Sequence, residues 1–573
     1  MTGSAVIGTE TMPAATGAQR LAGLLKAAGV RTIFGQSIPA TLLHETAAAG
    51  IRQVAYRTEN AGGAMADGYA RCSNELGVVA AQNGPAAALL VAPLAEALKA
   101  SVPLLAIVQD VPRPNRERHA FQEFDHASLL RGCTKGVLQV DSRSNLEQMA
   151  SMAIRQAVSN RPGPVALVVP ADVLEGCGRG RSAAPAHAHF PAVRYTSTGT
   201  DLERAARALR AASRPLAIAG GGVHLSDATG ALRRLQKELG LPVMTTNMGK
   251  GAVDETHDLS LGVIGNCMGE GSPANGIREH VRSADVILLV GTRTNQNGTD
   301  SWRAFGTGTR FIQIDVDAGE FGRNFDALPL PGDAREVLGD LHARLSDGPL
   351  RPQDGLIDAS RRSKEQVRAF LDALEASSGC GPLQPHLVLD RLSRALPDDA
   401  VVVADASYAT NWVATYCKAR ARQRYLMPRG LAGLGWGVPM AIGAKASAPH
   451  AAVIAVVGDG AFGHCWSELS AALREQLPIV VVVLNNGVLG YQKHAEEQRW
   501  GSSTHACDLA PVDHAAVARA QGCLGIRVST LPEFEAALLA CLDSHSPAVI
   551  DVLVDPRARP PLSLFERPNR KEQ

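Results

Sequence analysis

An alternation of two kinds of segment constrains this chain more than any other feature. Short runs rich in Val, Ile and Leu are separated by Ala- and Leu-rich stretches of helical character over most of its length. The runs stand at 78–81, 104–108, 165–169, 216–219, 286–290, 311–314, 401–403, 452–457, 479–484 and 549–554. A strand buried on both faces reads as a continuous apolar run. Strands alternating with helices predict a parallel sheet with helices on each side. The fold class is therefore α/β. At roughly 150 residues per domain, the 573 residues call for three to four domains. Two breaks refine that estimate. Residues 178–200 are rich in Ala, Pro, His, Arg and Ser without a strong period. Residues 346–384 hold helix formers between Asp347-Gly348-Pro349 and Ser378-Gly379-Cys380-Gly381-Pro382. Read as linkers, they leave three doubly wound parallel-sheet domains at 15–180, 198–343 and 383–558. The first and third are compatible with two copies of one plan. The charged end, 567–573, is expected to fray.

Composition removes several classes of function. There are 57 Lys+Arg against 56 Asp+Glu, a net charge of +1. Nothing global draws the chain to nucleic acid or to an anionic membrane. A hydrophobic content of 45% with 20% charged residues excludes wholesale disorder. Ten cysteines include no Cys-x-x-Cys pair, which favours free buried thiols in a reducing compartment over a disulfide or zinc framework. The sixteen histidines show no zinc spacing either. Residues 1–18 carry no basic region followed by an apolar stretch, and the apolar run at 85–95 is far shorter than the ~20 residues of a membrane helix. The expectation is a cytoplasmic protein with no nucleic-acid or membrane partner.

The strongest chemical signal lies near the carboxyl end. The apolar run 452–457 stops at Gly458-Asp459-Gly460. Phe462, Trp466, Leu469 and Leu473 then fall on one face of a helix predicted over 461–476. A second run ends at Asn485-Asn486-Gly487. If the two strands are parallel, Asp459 and Asn486, 27 positions apart, converge at the sheet edge where open α/β sheets bind ligands. A carboxylate and an amide oxygen are hard ligands suited to Mg²⁺ or Ca²⁺. Gly458 and Gly460 allow close backbone approach, and a helix start offers free N–H groups to an anion. Two protein ligands are too few for a closed cage, so phosphate oxygens and water should complete the shell. Taken singly, Asp-Gly and Asn-Gly are ordinary turns. Together, each after a buried strand, they favour a divalent-cation and diphosphate site.

Gly-Asp-Gly, 24 residues and then Asn-Asn resembles the motif of thiamine-diphosphate-dependent enzymes, and the resemblance runs through nearly the whole chain. Arg57-Thr58-Glu59-Asn60-Ala61-Gly62-Gly63-Ala64-Met65-Ala66-Asp67-Gly68-Tyr69-Ala70-Arg71 is similar to the segment holding that family's activating glutamate. Asn83-Gly84-Pro85 resembles its Gly-Pro turn. Ala120-Phe121-Gln122-Glu123 resembles an active-site stretch of acetohydroxyacid (acetolactate) synthases. Gly220-Gly221-Gly222, Thr245-Thr246 and Gly249-Lys250-Gly251 resemble their middle domain. The stretch from Gly433-Leu434-Gly435-Trp436-Gly437 to Ala444 resembles the pyrimidine-side loop.

The resemblance implies a cofactor held between the amino domain of one subunit and the carboxyl domain of another, hence a homodimer or homotetramer. It implies Mg²⁺ bound by Asp459, Asn486 and the Val488 carbonyl. Gly458, Gly460, Ala461, Leu489 and Gly490 would then lie along the diphosphate, with Ala406 and Ser407 at its far end. Leu434 would bend the cofactor, with Ala432 and Gly433 on the pyrimidine side and Asn83 and Gly84 in the amino domain's share of the site. Glu59 would hold a proton on the pyrimidine ring, in a nearly dry interface that favours proton sharing. Gln122 would face the reacting carbons of a 2-oxo acid. By itself Glu59 reads as a helix-capping acid before Asn60. The basic stretch Arg113, Arg116, Arg118 and His119 reads either as a carboxylate or phosphate site or as a solvated loop. Lys418, Arg420, Arg422 and Arg424 read as an exposed face.

Three departures from biosynthetic acetohydroxyacid synthases leave the acceptor and the flavin open. Thr58 stands where that group has His. The segment Gly490-Tyr491-Gln492-Lys493-His494-Ala495 lacks a tryptophan that favours 2-oxobutyrate. The segment 291–299 lacks the Asp-Asp-Arg stretch that helps hold FAD. Three functions remain at this point. One is carboligation of a decarboxylated 2-oxo acid, pyruvate first, to a second carbonyl. Another is simple decarboxylation of the benzoylformate-decarboxylase type. The third is a non-catalytic assembly partner. Whether a regulatory subunit exists is also open.

Overall fold

The computed structural model describes residues 15–178, 184, 186–351, 355–377, 381–420 and 422–566. Parts of both breaks (179–183 and 378–380, with Cys380) and the charged end 567–573 lie outside the described residues. Three six-stranded, all-parallel sheets form the molecule. The first comprises β1 (Thr32–Gly35), β2 (Arg52–Val54), β3 (Gly77–Ala81), β4 (Leu104–Asp110), β5 (Gly136–Gln139) and β6 (Val165–Pro170), in the order 2-1-3-4-6-5. The second comprises β7 (Pro215–Ala219), β8 (Val243–Thr245), β9 (Ser260–Val263), β10 (Val286–Val290), β11 (Arg310–Asp315) and β12 (Ala327–Pro331), in the order 9-8-7-10-11-12. The third comprises β13 (Val401–Ala404), β14 (Arg424–Leu426), β15 (Val453–Gly458), β16 (Val480–Asn485), β17 (Leu524–Val528) and β18 (Ala548–Leu553), in the order 14-13-15-16-18-17. The first and third sheets thus share one strand order. The second has the doubly wound order of dinucleotide-binding folds.

All ten apolar runs are strands, and each is longer than its run or matches it within a residue or two. A short antiparallel pair, Ala15–Thr16 with Cys177–Gly178, stands apart from the three sheets. Eight further strands of these sheets carry no such run. Six of them (β2, β5, β9, β12, β14 and β17) are sheet edges, and β1 and β8 lie next to an edge. An edge strand needs neither full length nor two buried faces, so its sequence stays short and mixed. The central strands show the reverse. Along β10, Val286, Leu288 and Val290 enter the core on one side of the sheet and Ile287 and Leu289 the core on the other. Each such side chain contributes about 1.5–3 kcal/mol by leaving water.

By internal packing the chain divides into two compact units. One runs to Val193 and includes 442–447, and the other holds 194–441 and 448 onward. The middle of the second break is a 22-residue helix, Leu356–Ser377. The helix predicted over 461–476 is interrupted instead. A turn at Asp459–Gly463 ends with the His464 N–H on the Ala461 carbonyl, a 3₁₀ turn covers Trp466–Glu468, and an α-helix resumes at Leu469–Arg474. Two glycines weaken the first turn, and the His464 Cβ packs where a side chain on Gly435 would have to lie. Of nine described cysteines eight are buried, Cys177 is exposed, and all are free thiols.

Candidate functional site

In the carboxyl-terminal sheet β15 and β16 are parallel, with Gly458 opposite Leu484. Their carboxyl ends, with that of β13, open on one cleft of about 170 Å³ that communicates with solvent. Ala406, Ser407, Leu434, Gly458, Asp459, Gly460, Ala461, Asn486, Val488, Leu489 and Gly490 all line it. Eleven residues singled out by sequence therefore share one cavity. Ala432 and Gly433 do not line it. They shape the loop that carries Leu434. Ala432 has φ +62° and Gly435 φ +84°, and a side chain on Gly433 would strike the Trp436 ring at 2.7 Å.

Asp459 is the chemical centre of the cleft. Its Oδ1 accepts from the Gly460 N–H at 3.0 Å and its Oδ2 from the Gly487 N–H at 2.7 Å. Burial raises its pKa to about 6, against the partial relief of those two amides. No described basic side chain pairs with it, so a desolvated carboxylate faces the cleft without a cation. Asn486 Oδ1 accepts the Val488 N–H at 3.2 Å and keeps its second lone pair. A Cβ on Gly458 would meet open space. Among the described residues no group of three or more His, Cys, Asp or Glu forms a metal cage. This donor set fits a hard divalent ion whose remaining ligands come from a diphosphate.

Asp405, missed in the sequence, organises the opposite wall. It is fully buried at the end of β13, and burial pushes its pKa up to about 6. Its carboxylate accepts from the Ala406 N–H at 2.7 Å and the Gly437 N–H at 2.8 Å, tying the turn after β13 to the loop bearing Leu434. The available signal was an acid closing a buried strand. Ser407 adopts φ +65°, ψ −140° at the start of helix Tyr408–Tyr416, a conformation that a residue with a side chain holds only where its surroundings impose it. Tyr408 also lines the cleft, and its hydroxyl donates to His494 Nδ1 at 2.9 Å. The other His494 nitrogen donates to the Pro556 carbonyl, which fixes the tautomer.

In the amino-terminal domain Asn83 and Gly84 follow β3, the place that Asp459 and Gly460 take after β15 in the third sheet. The Asn83 amide donates to the Phe121 and Gln122 carbonyls, each at 3.1 Å. Gln122, at φ +60°, accepts from Gln82 Nε2 at 2.8 Å. A side chain on Gly84 (φ +64°) would sit 2.7 Å from the Gln122 Cβ. Asn83, Gly84 and Gln122 are thus brought together. Two residues unmarked by the sequence support them. The Gly84 N–H donates to His126 Nε2 at 2.8 Å, and His126 Nδ1 lies 3.3 Å from Asp110 Oδ1. Burial raises the Asp110 pKa, but the His126 ring, the Val111 amide and Arg116 outweigh it and leave the value lowered.

Glu59 opens helix Glu59–Ser73 as its first residue. Thr58, not Glu59, is the cap, accepting the Ala61 N–H at 3.3 Å, which gives the threonine at that position a structural role. Glu59 is half-buried, and from Ala61 to Cys72 every residue of the helix is buried. Half of the basic stretch is consumed internally. Arg113 pairs with Asp172 at 2.7 Å and Arg116 with Asp110 at 2.8 Å, so neither is free for a substrate anion. Arg118 and His119 are exposed. In the middle domain the Gly220 and Gly222 N–H groups already donate to the Val290 and Gly291 carbonyls. A Cβ on Gly220 would lie 2.2 Å from the Gly291 oxygen, so these glycines serve loop-to-loop packing.

Three family models match the chain. They are the amino-terminal TPP-binding domain of thiamine pyrophosphate enzymes over 15–129, the central domain over 202–341 and the carboxyl-terminal TPP-binding domain over 405–552. The chain is 30% identical over 559 residues to a probable acetolactate synthase large subunit of Methanocaldococcus jannaschii, covering 95% of this chain and 93% of that protein. It is 31% identical over 553 residues to the acetolactate synthase isozyme 3 large subunit of Escherichia coli, covering 94% and 95%. An acetolactate synthase of Mycobacterium bovis is 31% identical over 527 residues, covering 89% and 83%.

Proposed function

Because the chain belongs to the thiamine pyrophosphate enzymes, within the group that contains acetolactate synthase large subunits, we propose that it decarboxylates pyruvate and joins the resulting two-carbon unit to a second carbonyl compound. That it is a thiamine-diphosphate-dependent enzyme of this type follows from the family. The donor, the metal and the residue roles are the proposal. The observation that carries it is the convergence of Asp459, Asn486, Ser407 and Leu434 on one cleft at the carboxyl edge of the third sheet.

Asp459 and Asn486, with the Val488 carbonyl, would hold Mg²⁺, and Gly460, Ala461 and Gly490 would lie beside the diphosphate. Leu434 would fix the bend of the cofactor. The cofactor, when bound, supplies the electron sink that decarboxylation of a 2-oxo acid needs. The chain's part is to orient it, exclude water and hold a proton. Glu59 would hold that proton, and Gln122 would face the substrate, both supplied by a second copy in a homodimer or homotetramer. Flavin is left out of the proposal, since two of the three amides in the 220–222 turn are already bonded. Among the described residues no helix is long and apolar enough to cross a membrane. Together with the free, mostly buried thiols this supports a cytoplasmic location.

The test is product analysis with thiamine diphosphate, Mg²⁺ and pyruvate. Acetolactate is the expected product. Acetaldehyde alone would move the chain to the simple decarboxylases, and absence of carbon dioxide release would refute pyruvate as donor.

The raised Asp459 pKa gives a pH dependence with a definite sign. The folded, cofactor-free protein holds this proton up to about pH 6, whereas the unfolded chain releases it near the ordinary carboxylate value of 3.8. Stability of the cofactor-free form therefore falls as pH rises through that window. Mg²⁺ must displace the same proton. Mg²⁺-dependent cofactor affinity is expected to drop about tenfold per unit below pH 6 and to level off above it. Calorimetric titration across this range checks it, and a flat profile contradicts the assignment.

A further inference from the structure

A second cavity lies away from the cofactor cleft, between the linker helix Leu356–Ser377, the strand Ser260–Val263 and the end of helix Tyr408–Tyr416. It offers about 60 Å³ of room and opens to solvent. Lys364, Val367, Arg368 and Leu371 face it at i, i+3, i+4 and i+7, one stripe of the linker helix. Val263 and the Tyr416 ring complete an apolar wall.

The charges in this cavity do not balance internally. Two acids line it, and both are committed elsewhere. Glu255 holds Lys250 at 2.7 Å and accepts the Ala419 N–H at 2.9 Å. Asp390 holds Arg394 at 2.8 Å and Arg368 at 3.3 Å. Lys364 is left with a single long hydrogen bond, 3.4 Å to the His257 carbonyl. Burial lowers its pKa, only partly offset by Asp258 and Glu255. Asp258 is itself paired with Arg361. Lys418 adds a second positive charge at the rim. A half-buried ammonium with one long hydrogen bond beside an apolar wall gains from an acceptor that reaches it from the cavity.

We propose that this cavity binds a small organic carboxylate with an apolar body, its carboxylate at Lys364 and its body against Val367, Leu371 and Tyr416. The carboxylate supplies the close acceptor that Lys364 lacks, and the wall accepts the rest of the molecule. The site is distinct from the cofactor cleft, although one helix serves both: Tyr408 lines the cleft and Thr415 the second cavity.

The test uses the full chain loaded with thiamine diphosphate and Mg²⁺. Acetate, 4-methylpentanoate and 3-phenylpropanoate are titrated by calorimetry at millimolar concentration, with 3-phenylpropanamide as the neutral control. The two larger acids are expected to bind more tightly than acetate, and the amide about tenfold or more weaker than its acid. Lys364→Met should cost a similar factor, Lys364→Arg should restore most of it, and Thr415→Val, whose hydroxyl does not reach the cavity, should leave affinity within about twofold. The kcat and KM for the 2-oxo acid should stay at wild-type values in all three variants. Equal affinity in Lys364→Met and wild type would overturn the proposal. So would failure of all three acids to bind, or a Lys364→Met loss that appears equally in the substrate KM.

Discussion

Glu59→Gln is expected to lower kcat by about 10²- to 10⁴-fold while leaving cofactor affinity within a few-fold, the range set by loss of one positioned proton carrier. Glutamine preserves the size and polarity of the side chain but cannot hold the proton. The fold should tolerate the change. Glu59 is the first residue of its helix, and among the described residues its side chain makes no hydrogen bond or ion pair. Its charge contributes at most about 0.3–1 kcal/mol through the helix dipole, and the Thr58 cap is untouched. Steady-state carbon dioxide release at saturating cofactor measures kcat, and calorimetry measures binding. A variant that keeps wild-type kcat would remove Glu59 from the mechanism.

Asp459→Asn separates binding from stability. The carboxylate accepts two backbone N–H groups, one on each oxygen. An amide accepts only one and turns an NH₂ toward the other, which costs about 1–3 kcal/mol. Against this, the variant no longer buries a charge. A rise from 3.8 to about 6 corresponds to about 3 kcal/mol at neutral pH, at about 1.4 kcal/mol per unit. The two effects nearly cancel, so the cofactor-free variant should melt within a few degrees of wild type. Mg²⁺-dependent cofactor affinity should fall by at least about a hundredfold, since loss of even an outer partner of a metal site costs about 10–100-fold. A thermal melt and a cofactor titration on the same sample decide it. Tight binding in the variant would show that the cation sits elsewhere.

How much of this was legible depended on what each residue had to do alone. Asp459 and Asn486 announced themselves because buried strands with glycine turns leave a clear local pattern. Asp405 and His126 did not. Asp405 offered only an acid closing a buried strand, and His126, the first residue of a short helix, had no local signature. Their work is to accept amides from Gly437, 32 positions away, and Gly84, 42 positions away. The basic stretch shows the converse. Arg113 and Arg116 look like an anion site in sequence, yet Asp172 and Asp110 already neutralise them. The helix over 461–476 was a good periodic pattern that packing beside Gly435 interrupted.

By itself, the sequence determined the α/β class, the ten central strands and the residue types of the cleft. Burial on both faces demands unbroken apolar runs, and the proposed cation-diphosphate site calls for hard ligands beside glycine. Only the tertiary structure decided the six edge strands, the shared strand order of the first and third sheets and the residues that hold the site open. It also decided which charges were left over, at Asp459 in one cavity and at Lys364 in the other. An edge strand is defined by the neighbour it lacks. A charge is unpaired only once every other segment has taken its place.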